Sequence, residues 1–184
     1  MVDIIVNDLL STSKWLNTYM KQEFEHKGYY QFSEPDISNI VKLDEFKLLH
    51  TEERQRDNGE KDVDPKLDER LSTVAEYIKY KYVLPHWPNA EYTYYTVWDG
   101  VDKDNQGWHT DFMEGYDLFF LYYFDDTLHE HGGSISFKYG ETVDDYYPKS
   151  GDLFLVSNKR GFWHKAGSTD ITRRVASFNF KSNE

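Results

Sequence analysis

Hydrophobic positions recur with two different periods along this chain, and the period changes near Pro85. Over Leu67–Tyr82 the apolar side chains recur three or four positions apart, which places them on one face of a helix. Pro85 and Pro88 predict the end of that helix. An earlier helix is predicted through residues 15–20, with hydroxyl side chains at residues 11–13 as candidate caps.

From Glu91 onward the pattern is that of short strands rich in β-branched and aromatic residues. The predicted strands are Tyr92–Trp98, Leu118–Phe124, Ser134–Phe137, Leu153–Val156 and Arg174–Phe180. The second of these is almost wholly apolar, as expected for a strand buried on both faces. Many short strands joined by glycine-rich turns predict a mainly β fold with N-terminal helices, of the sandwich, barrel or jelly-roll type.

A chain of 184 residues is long enough for one domain, and the change of pattern divides it into two parts. Residues 1–90 are predicted to form a helical and charged-loop support, and residues 91–184 the β core. The segment 52–68 is dense in charge and contains the turn signal Asn58-Gly59. It is predicted to be a solvated loop, with a lid over a site as the alternative.

Composition narrows the function classes. Aromatic residues make up 17% of the chain and supply a large core. The net charge of −12 argues against a nucleic-acid partner, because such a surface repels phosphates. The absence of cysteine excludes disulfides and cysteine-based zinc sites. The sequence shows neither a signal peptide nor an apolar stretch of about 18 residues, so a cytoplasmic protein with no membrane partner is expected.

Three residues have the chemistry of a metal site. His109 and Asp111 are two positions apart in a predicted strand, so their side chains project to the same side. His164 follows from a different strand. Two imidazoles and one carboxylate leave one face of an octahedral ion open and suit non-haem Fe(II). For any single histidine an ordinary hydrogen-bonded residue is the favoured interpretation, and the metal-site prediction depends on the three residues together.

Arg174 lies in an apolar strand and is predicted to share a face with Ala176, Phe178 and Phe180. A buried guanidinium needs an anionic partner, either a protein carboxylate or a bound one. Its planar fork matches a carboxylate bidentately, so Arg174 is the candidate anchor for a dicarboxylate co-substrate. Arg173 is predicted to face the opposite side, in solvent.

These residues resemble the HxD…H…R motif of Fe(II)- and 2-oxoglutarate-dependent dioxygenases, and the closest likeness is to the prolyl-hydroxylase-like branch. The likeness covers about residues 92–180. It includes the paired tyrosines in Leu121–Asp125, the Gly132-Gly133 pair, the strand that begins Gly151-Asp152-Leu153, and Arg174-Val175-Ala176.

The resemblance implies a double-stranded β-helix, which is a cupin-like jelly roll, with His109, Asp111 and His164 as iron ligands. It implies that Arg174 and Tyr123 bind the distal carboxylate of 2-oxoglutarate and that Trp98 borders the substrate pocket. The implied activity is an oxygenase that uses O2 to hydroxylate a C–H bond and forms succinate and CO2. The implied substrate is either a protein side chain of the prolyl type or a small molecule.

Two other functions remain open on the sequence alone. One is a non-catalytic jelly roll that binds a metal or a ligand, and the other is an interaction module in which Arg174 forms a structural ion pair. His129 and His131 lie between the charged residues 125–126 and the glycine pair, so a solvated loop without a metal is expected there. The histidines with no partner at ligand spacing are His26, His50 and His86.

Overall fold

The structure is a computed structural model that describes residues 18–42, 65–100, 107–111 and 117–183. The predicted helix cap at residues 11–13 and most of the charged segment 52–68 lie outside these ranges. None of the helices in the described ranges has the length and apolar content needed to cross a membrane.

Three helices precede most of the strands. Helix α1 covers residues 18–27, α2 covers Ile37–Ile40, and α3 covers Pro65–Ile78. Pro65 suits the first position of α3 because proline lacks the N–H that would have no helical partner there. The chain continues from α3 as a π-helix over Lys79–Val83. The predicted helix over Leu67–Tyr82 is therefore confirmed, with a wider final turn.

In the described residues, eight strands form two antiparallel sheets. The strands are β1 Tyr29–Ser33, β2 Glu91–Gly100, β3 Leu118–Tyr123, β4 Ile135–Tyr139, β5 Thr142–Tyr146, β6 Asp152–Ser157, β7 Phe162–Ala166 and β8 Arg173–Lys181. The major sheet has the order β1-β6-β3-β8-β2, and the minor sheet has the order β5-β4-β7. This arrangement confirms the mainly β prediction and is that of a double-stranded β-helix.

Two apolar clusters cover the two faces of the major sheet. One cluster joins the sheet to the helices and includes Leu71 of α3 together with Ala176, Phe178 and Phe180 of β8. The other fills the space between the two sheets, and Val175 packs against it. Successive residues of β8 therefore alternate between a helix-facing side and a barrel-facing side. This alternation decides which side chains of β8 reach the interior.

Strand β1 lies far before Pro85 in the sequence but belongs to the major sheet, and the sequence pattern did not predict this strand. It pairs with β6, and its Tyr29 stacks on Phe137 of the minor sheet with ring centroids 4.2 Å apart. The N-terminal part of the chain thus supplies an edge strand as well as helices. The division at residue 90 stays a prediction.

Candidate metal centre

The metal-ligand candidates His109 and His164 face each other across an isolated β-bridge. His164 belongs to β7, whereas residues 107–111 contain only this bridge and not the predicted strand. The backbone N–H of His109 donates to the carbonyl of His164 at 3.0 Å, and the reverse bond is 2.9 Å long. This reciprocal pair attaches residues 107–111 to the free edge of β7, where His164 lies. Two distant parts of the sequence therefore present their side chains side by side at one edge of the minor sheet.

The three predicted ligands converge. His164 Nε2 lies 3.3 Å from one carboxylate oxygen of Asp111, and His109 Nε2 lies 3.7 Å from the other. One possible ligand atom from each residue lies within 4.8 Å of the other two, and no other such group occurs in the described ranges. The structure thus brings His109, Asp111 and His164 together, as the sequence pattern predicted.

Contacts around the two imidazoles orient them toward the centre of this group. His109 Nδ1 lies 2.8 Å from the carbonyl of Gly107, and a carbonyl can only accept, so Nδ1 carries the proton. The lone pair of His109 is then on Nε2, the atom that faces Asp111. His164 is buried, and its ring packs against Phe119 with centroids 5.4 Å apart.

The electrostatics favour the ionised form of Asp111. Partial burial would raise its pKa, but the hydrogen bond from His164 and the charges of His164 and His109 together lower it below its ordinary value. A carboxylate that is already ionised, beside two imidazoles, is ready to bind a divalent cation.

Arg174 shares a face with Ala176, Phe178 and Phe180 as predicted, but this face looks toward the helices and not into the barrel, where a co-substrate anchor would have to point. Arg174 lies on the helix-facing side of β8 and makes a bidentate ion pair with Asp125, with contacts of 2.8 Å from Nε and 2.7 Å from Nη2. The error concerns which face of β8 looks into the barrel. The anion that Arg174 meets in this structure is a protein carboxylate.

Arg173 is the arginine that faces the barrel, and the prediction that it is solvated is also wrong. Its side chain is buried, and Nη1 donates to the carbonyls of Gly133 and Gly167 at 3.4 Å each. These two glycines lie at the ends of β4 and β7, so the guanidinium reaches from the major sheet to the minor sheet. Arg173 shares this face with Val175, but the sequence alone carries no signal that this is the face that looks into the barrel.

Tyr123 lies at the end of β3 on the same barrel-facing side as Arg173. Burial raises the pKa of Tyr123 to about 12, although the nearby charge of Arg173 acts to lower it. The phenol therefore keeps its proton at ordinary pH and can donate a hydrogen bond. Tyr123 and Arg173 share the barrel-facing side, and the charge of Arg173 acts on the phenol.

Trp98 lies on the barrel-facing side of β2, opposite Val175, and its side chain is partly exposed. On the same side, the Thr96 hydroxyl donates to Ser177 Oγ at 3.1 Å, and the Asn179 amide donates to the same oxygen at 3.1 Å. The barrel wall beside Trp98 is thus polar, a feature that the sequence pattern did not predict.

The other histidines of the predicted loop have ordinary partners. His129, Glu130 and His131 form a single 3-10 turn, in which His131 Nδ1 lies 2.9 Å from an oxygen of Asp170. The ring of His129 lies against Tyr147 with centroids 4.8 Å apart. Neither belongs to the metal-binding group found in the described ranges.

Comparison with known proteins gives matches in structure. No family model matches the sequence, and no curated protein matches it. A 2OG-Fe(II) oxygenase-family oxidoreductase from Burkholderia pseudomallei superposes with a TM-score of 0.66 at 12% identity, over 90% of each chain. The chain has the fold of the 2-oxoglutarate-dependent oxygenases.

Two further matches to this oxygenase fold carry bound molecules. A prolyl hydroxylase from Trichoplax adhaerens, in complex with a hypoxia inducible factor peptide, has a TM-score of 0.58 at 13% identity and covers 95% of this chain and 93% of its own. HygX from Streptomyces hygroscopicus, with nickel and 2-oxoglutarate bound, has a TM-score of 0.63 at 12% identity and covers 89% and 85%. At these identities the likeness is one of fold.

Proposed function

We propose that this protein is an Fe(II)- and 2-oxoglutarate-dependent oxygenase that hydroxylates a C–H bond. The observation that carries the proposal is the convergence of His109, Asp111 and His164 on one point at the edge of the minor sheet. Two imidazole nitrogens and one carboxylate oxygen, with an open side, form the ligand set of non-haem Fe(II) oxygenases. The solved structures of the same fold support this reading.

The residues present fit the metal. His109 Nδ1 donates to the Gly107 carbonyl, so Nε2 would be the atom of His109 that binds a metal, and the pKa of Asp111 is lowered, which favours its ionised form. Fe(II) bound by these three residues would supply open coordination positions and the redox chemistry that couples decarboxylation of 2-oxoglutarate to hydroxylation. The protein orients the ligands and balances the charge, since Asp111 neutralises part of the ion's charge.

Arg173 is proposed as the anchor for the distal carboxylate of 2-oxoglutarate, in place of Arg174. Three observations support Arg173: it faces the barrel, it is buried, and it lies beside the protonated phenol of Tyr123. A fixed guanidinium in a site of low dielectric constant binds a carboxylate more strongly than a solvated one. Tyr123 would donate a second hydrogen bond to the same group.

The substrate class is proposed as a protein side chain of the prolyl type or a small molecule. The matched prolyl hydroxylase holds a peptide, which supports a protein side chain as one candidate substrate. Trp98 would border the substrate because it lies on the barrel-facing side of β2 with part of its ring exposed. An aromatic wall of this kind suits an apolar ring or chain.

The proposal is tested by turnover. Protein supplied with Fe(II), ascorbate and O2 should convert 2-oxoglutarate to succinate, and proline-containing peptides and amino acids should be screened for stimulation. His109→Ala and His164→Ala should abolish succinate formation, whereas His131→Ala, which changes a histidine outside the group, should not. A protein that binds Fe(II) but forms no succinate with any substrate would favour the non-catalytic binding module.

A further inference from the structure

Asp125 lies two residues after the end of β3, and its carboxylate binds the start of β8. One oxygen accepts the backbone N–H of Arg174 at 2.9 Å and the side-chain Nε at 2.8 Å. The other accepts Nη2 at 2.7 Å. A two-pronged charged pair restricts the angle of approach as well as the distance. Asp125 therefore fixes both the side chain and the main chain of Arg174.

This pair lies where the two strands of the proposed co-substrate pocket meet. Tyr123 is the last residue of β3, and Arg173 is the first residue of β8. The last pair in the β3–β8 ladder joins Tyr123 to Val175, so Arg173 lies beyond the paired region on that side. The backbone N–H of Phe124 then donates to the Arg174 carbonyl at 3.0 Å. The Asp125 contacts extend the attachment of β3 to β8 by one more residue.

The pair does not line the pocket. Arg174 alternates with Arg173 along β8, and its side is the one on which Ala176 and Phe178 pack against the helices. Asp125 and Arg174 are also shielded from solvent, with side chains 15% and 23% exposed. A pair shielded to this extent is screened less by salt than a surface pair. It can therefore hold the backbone from behind, without contact to the co-substrate.

We propose that Asp125 and Arg174 are positioning residues that hold Arg173 and Tyr123 in register for the dicarboxylate co-substrate. The inference rests on the proposed function, because it assigns a role relative to the 2-oxoglutarate pocket. A guanidinium binds a carboxylate bidentately only within a narrow range of angles. A small shift at the start of β8 moves the fork of Arg173, and a 1 Å misplacement can cost about a hundredfold in rate.

The test is Asp125→Asn, which keeps the shape of the side chain but puts an amide NH2 where a donor of Arg174 now finds an oxygen. The KM for 2-oxoglutarate should rise about tenfold. The kcat at saturating 2-oxoglutarate should stay within about twofold, because the metal ligands are untouched. Arg174→Lys should give a smaller rise in KM, since one ammonium keeps the charge and loses the fork.

A matched control separates positioning from loss of stability. Glu34→Gln breaks another ion pair, between the buried Glu34 and the exposed Lys81 of the helical layer, and should lower the Tm without changing the KM. An unchanged KM in Asp125→Asn would overturn the inference. The inference would also be overturned if Glu34→Gln lowered the Tm as much as Asp125→Asn does and raised the KM for 2-oxoglutarate by the same factor. The rise in KM would then follow from general destabilisation.

A second measurement does not depend on activity. Amide hydrogen exchange in the metal-free Asp125→Asn protein should speed up in peptides covering residues 119–125 and 172–178, and should be unchanged in peptides of α3. Unchanged exchange in the first two peptides would also overturn the inference. A wild-type protein without 2-oxoglutarate turnover would contradict the proposed function, whereas turnover with an unchanged KM in the variant contradicts the positioning role alone.

Discussion

At the scale of single residues, the two neighbouring arginines of β8 have opposite environments. Alternation along the strand correctly predicts that Arg174 shares a face with Ala176 and Phe178. It cannot predict which face looks into the barrel, because β8 has strands on both sides and carries apolar residues on both faces. Only the positions of the helices and the minor sheet decide that Arg173 is the inward residue.

This difference predicts unequal roles in binding 2-oxoglutarate. Arg173→Ala should raise the KM for 2-oxoglutarate about 30-fold or more, because loss of a bidentate charged contact costs on the order of 2–5 kcal/mol. Arg174→Ala should raise the KM less, because Arg174 acts only through the backbone. Steady-state kinetics with 2-oxoglutarate at fixed substrate and Fe(II) measures both values.

The choice of co-substrate distinguishes the two effects. 2-Oxopentanoate has the same chain length as 2-oxoglutarate and lacks the distal carboxylate. The Arg173→Ala protein should lose most of its preference for 2-oxoglutarate over 2-oxopentanoate. The Arg174→Ala protein should keep most of this preference. If the preference is lost in Arg174→Ala and kept in Arg173→Ala, then Arg174, and not Arg173, binds the distal carboxylate.

At the scale of elements, the long apolar strands could be predicted from the sequence and the short edge strands could not. Strands β2, β3 and β8 are central or long, and their composition alone identifies them. Strand β5 carries two aspartates, and β1 has only Tyr29 fully buried, so neither shows a clear alternation. Their strand conformation depends on pairing with β4 and β6, which a local pattern does not contain.

Strand β1 is joined to the α3 segment through one buried carboxylate. Glu34 follows β1 and is 5% exposed. It accepts hydrogen bonds from the Tyr77 hydroxyl at 2.7 Å, from Lys81 Nζ at 2.8 Å and from the Tyr82 hydroxyl. The π-helix takes part in this network, because two of the donors, Lys81 and Tyr82, are residues of the π-helix. These contacts attach the helical layer to the edge of the major sheet.

Loss of this network should destabilise the fold and leave the metal centre intact. Glu34→Gln should lower the free energy of unfolding by about 1–3 kcal/mol, because a buried acceptor of several hydrogen bonds becomes a poor one. Urea denaturation followed by circular dichroism measures the change. Glu23→Gln, which removes only a surface ion pair with Lys27, is the control and should have little effect. Equal losses in the two variants would show that the Glu34 network adds nothing.

At the scale of the whole molecule, buried tyrosines link stability to high pH. Burial raises the pKa of Tyr122 to about 12, with a further raising by Glu34 and a partial lowering by a backbone hydrogen bond. Burial also raises the pKa of Tyr123 to about 12, against the charge of Arg173. In the folded protein these phenols resist ionisation, whereas in the unfolded chain they ionise near pH 10. Their contribution to stability is present below pH 10 and is lost as pH rises through about 12.

The fold should therefore unfold cooperatively between pH 10 and about 12, together with ionisation of the tyrosines. Circular dichroism and the ultraviolet absorbance of phenolate, recorded over the same titration, should change together. Tyr122→Phe should reduce, by roughly 2 kcal/mol, the amount by which the free energy of unfolding falls across this pH range. Tyr80→Phe, at an exposed position, should leave it unchanged. Phenolate absorbance that rises well before the loss of structure would contradict this prediction.

The fold could be predicted from the sequence, and the sequence also identifies the three residues that the structure brings together as candidate metal ligands. Strand alternation predicts the pairing of His109 with Asp111, although the structure has only one β-bridge there, at His109. The jelly roll follows from many short strands. The polar wall formed by Thr96, Ser177 and Asn179 could not be read, because it depends on how β2 pairs with β8. The identity of the substrate also depends on contacts between side chains that strand pairing brings together.

The most direct test of the central claim is the visible absorbance of the protein with Fe(II) and 2-oxoglutarate in the absence of oxygen. If His109, Asp111 and His164 bind Fe(II) with an open face, addition of 2-oxoglutarate should produce a weak charge-transfer band. The band should be absent in His164→Ala and present in His131→Ala. It should saturate at one Fe(II) per chain. A wild-type protein that binds Fe(II) elsewhere and gives no band, or a His164→Ala protein that keeps the band, would contradict this account.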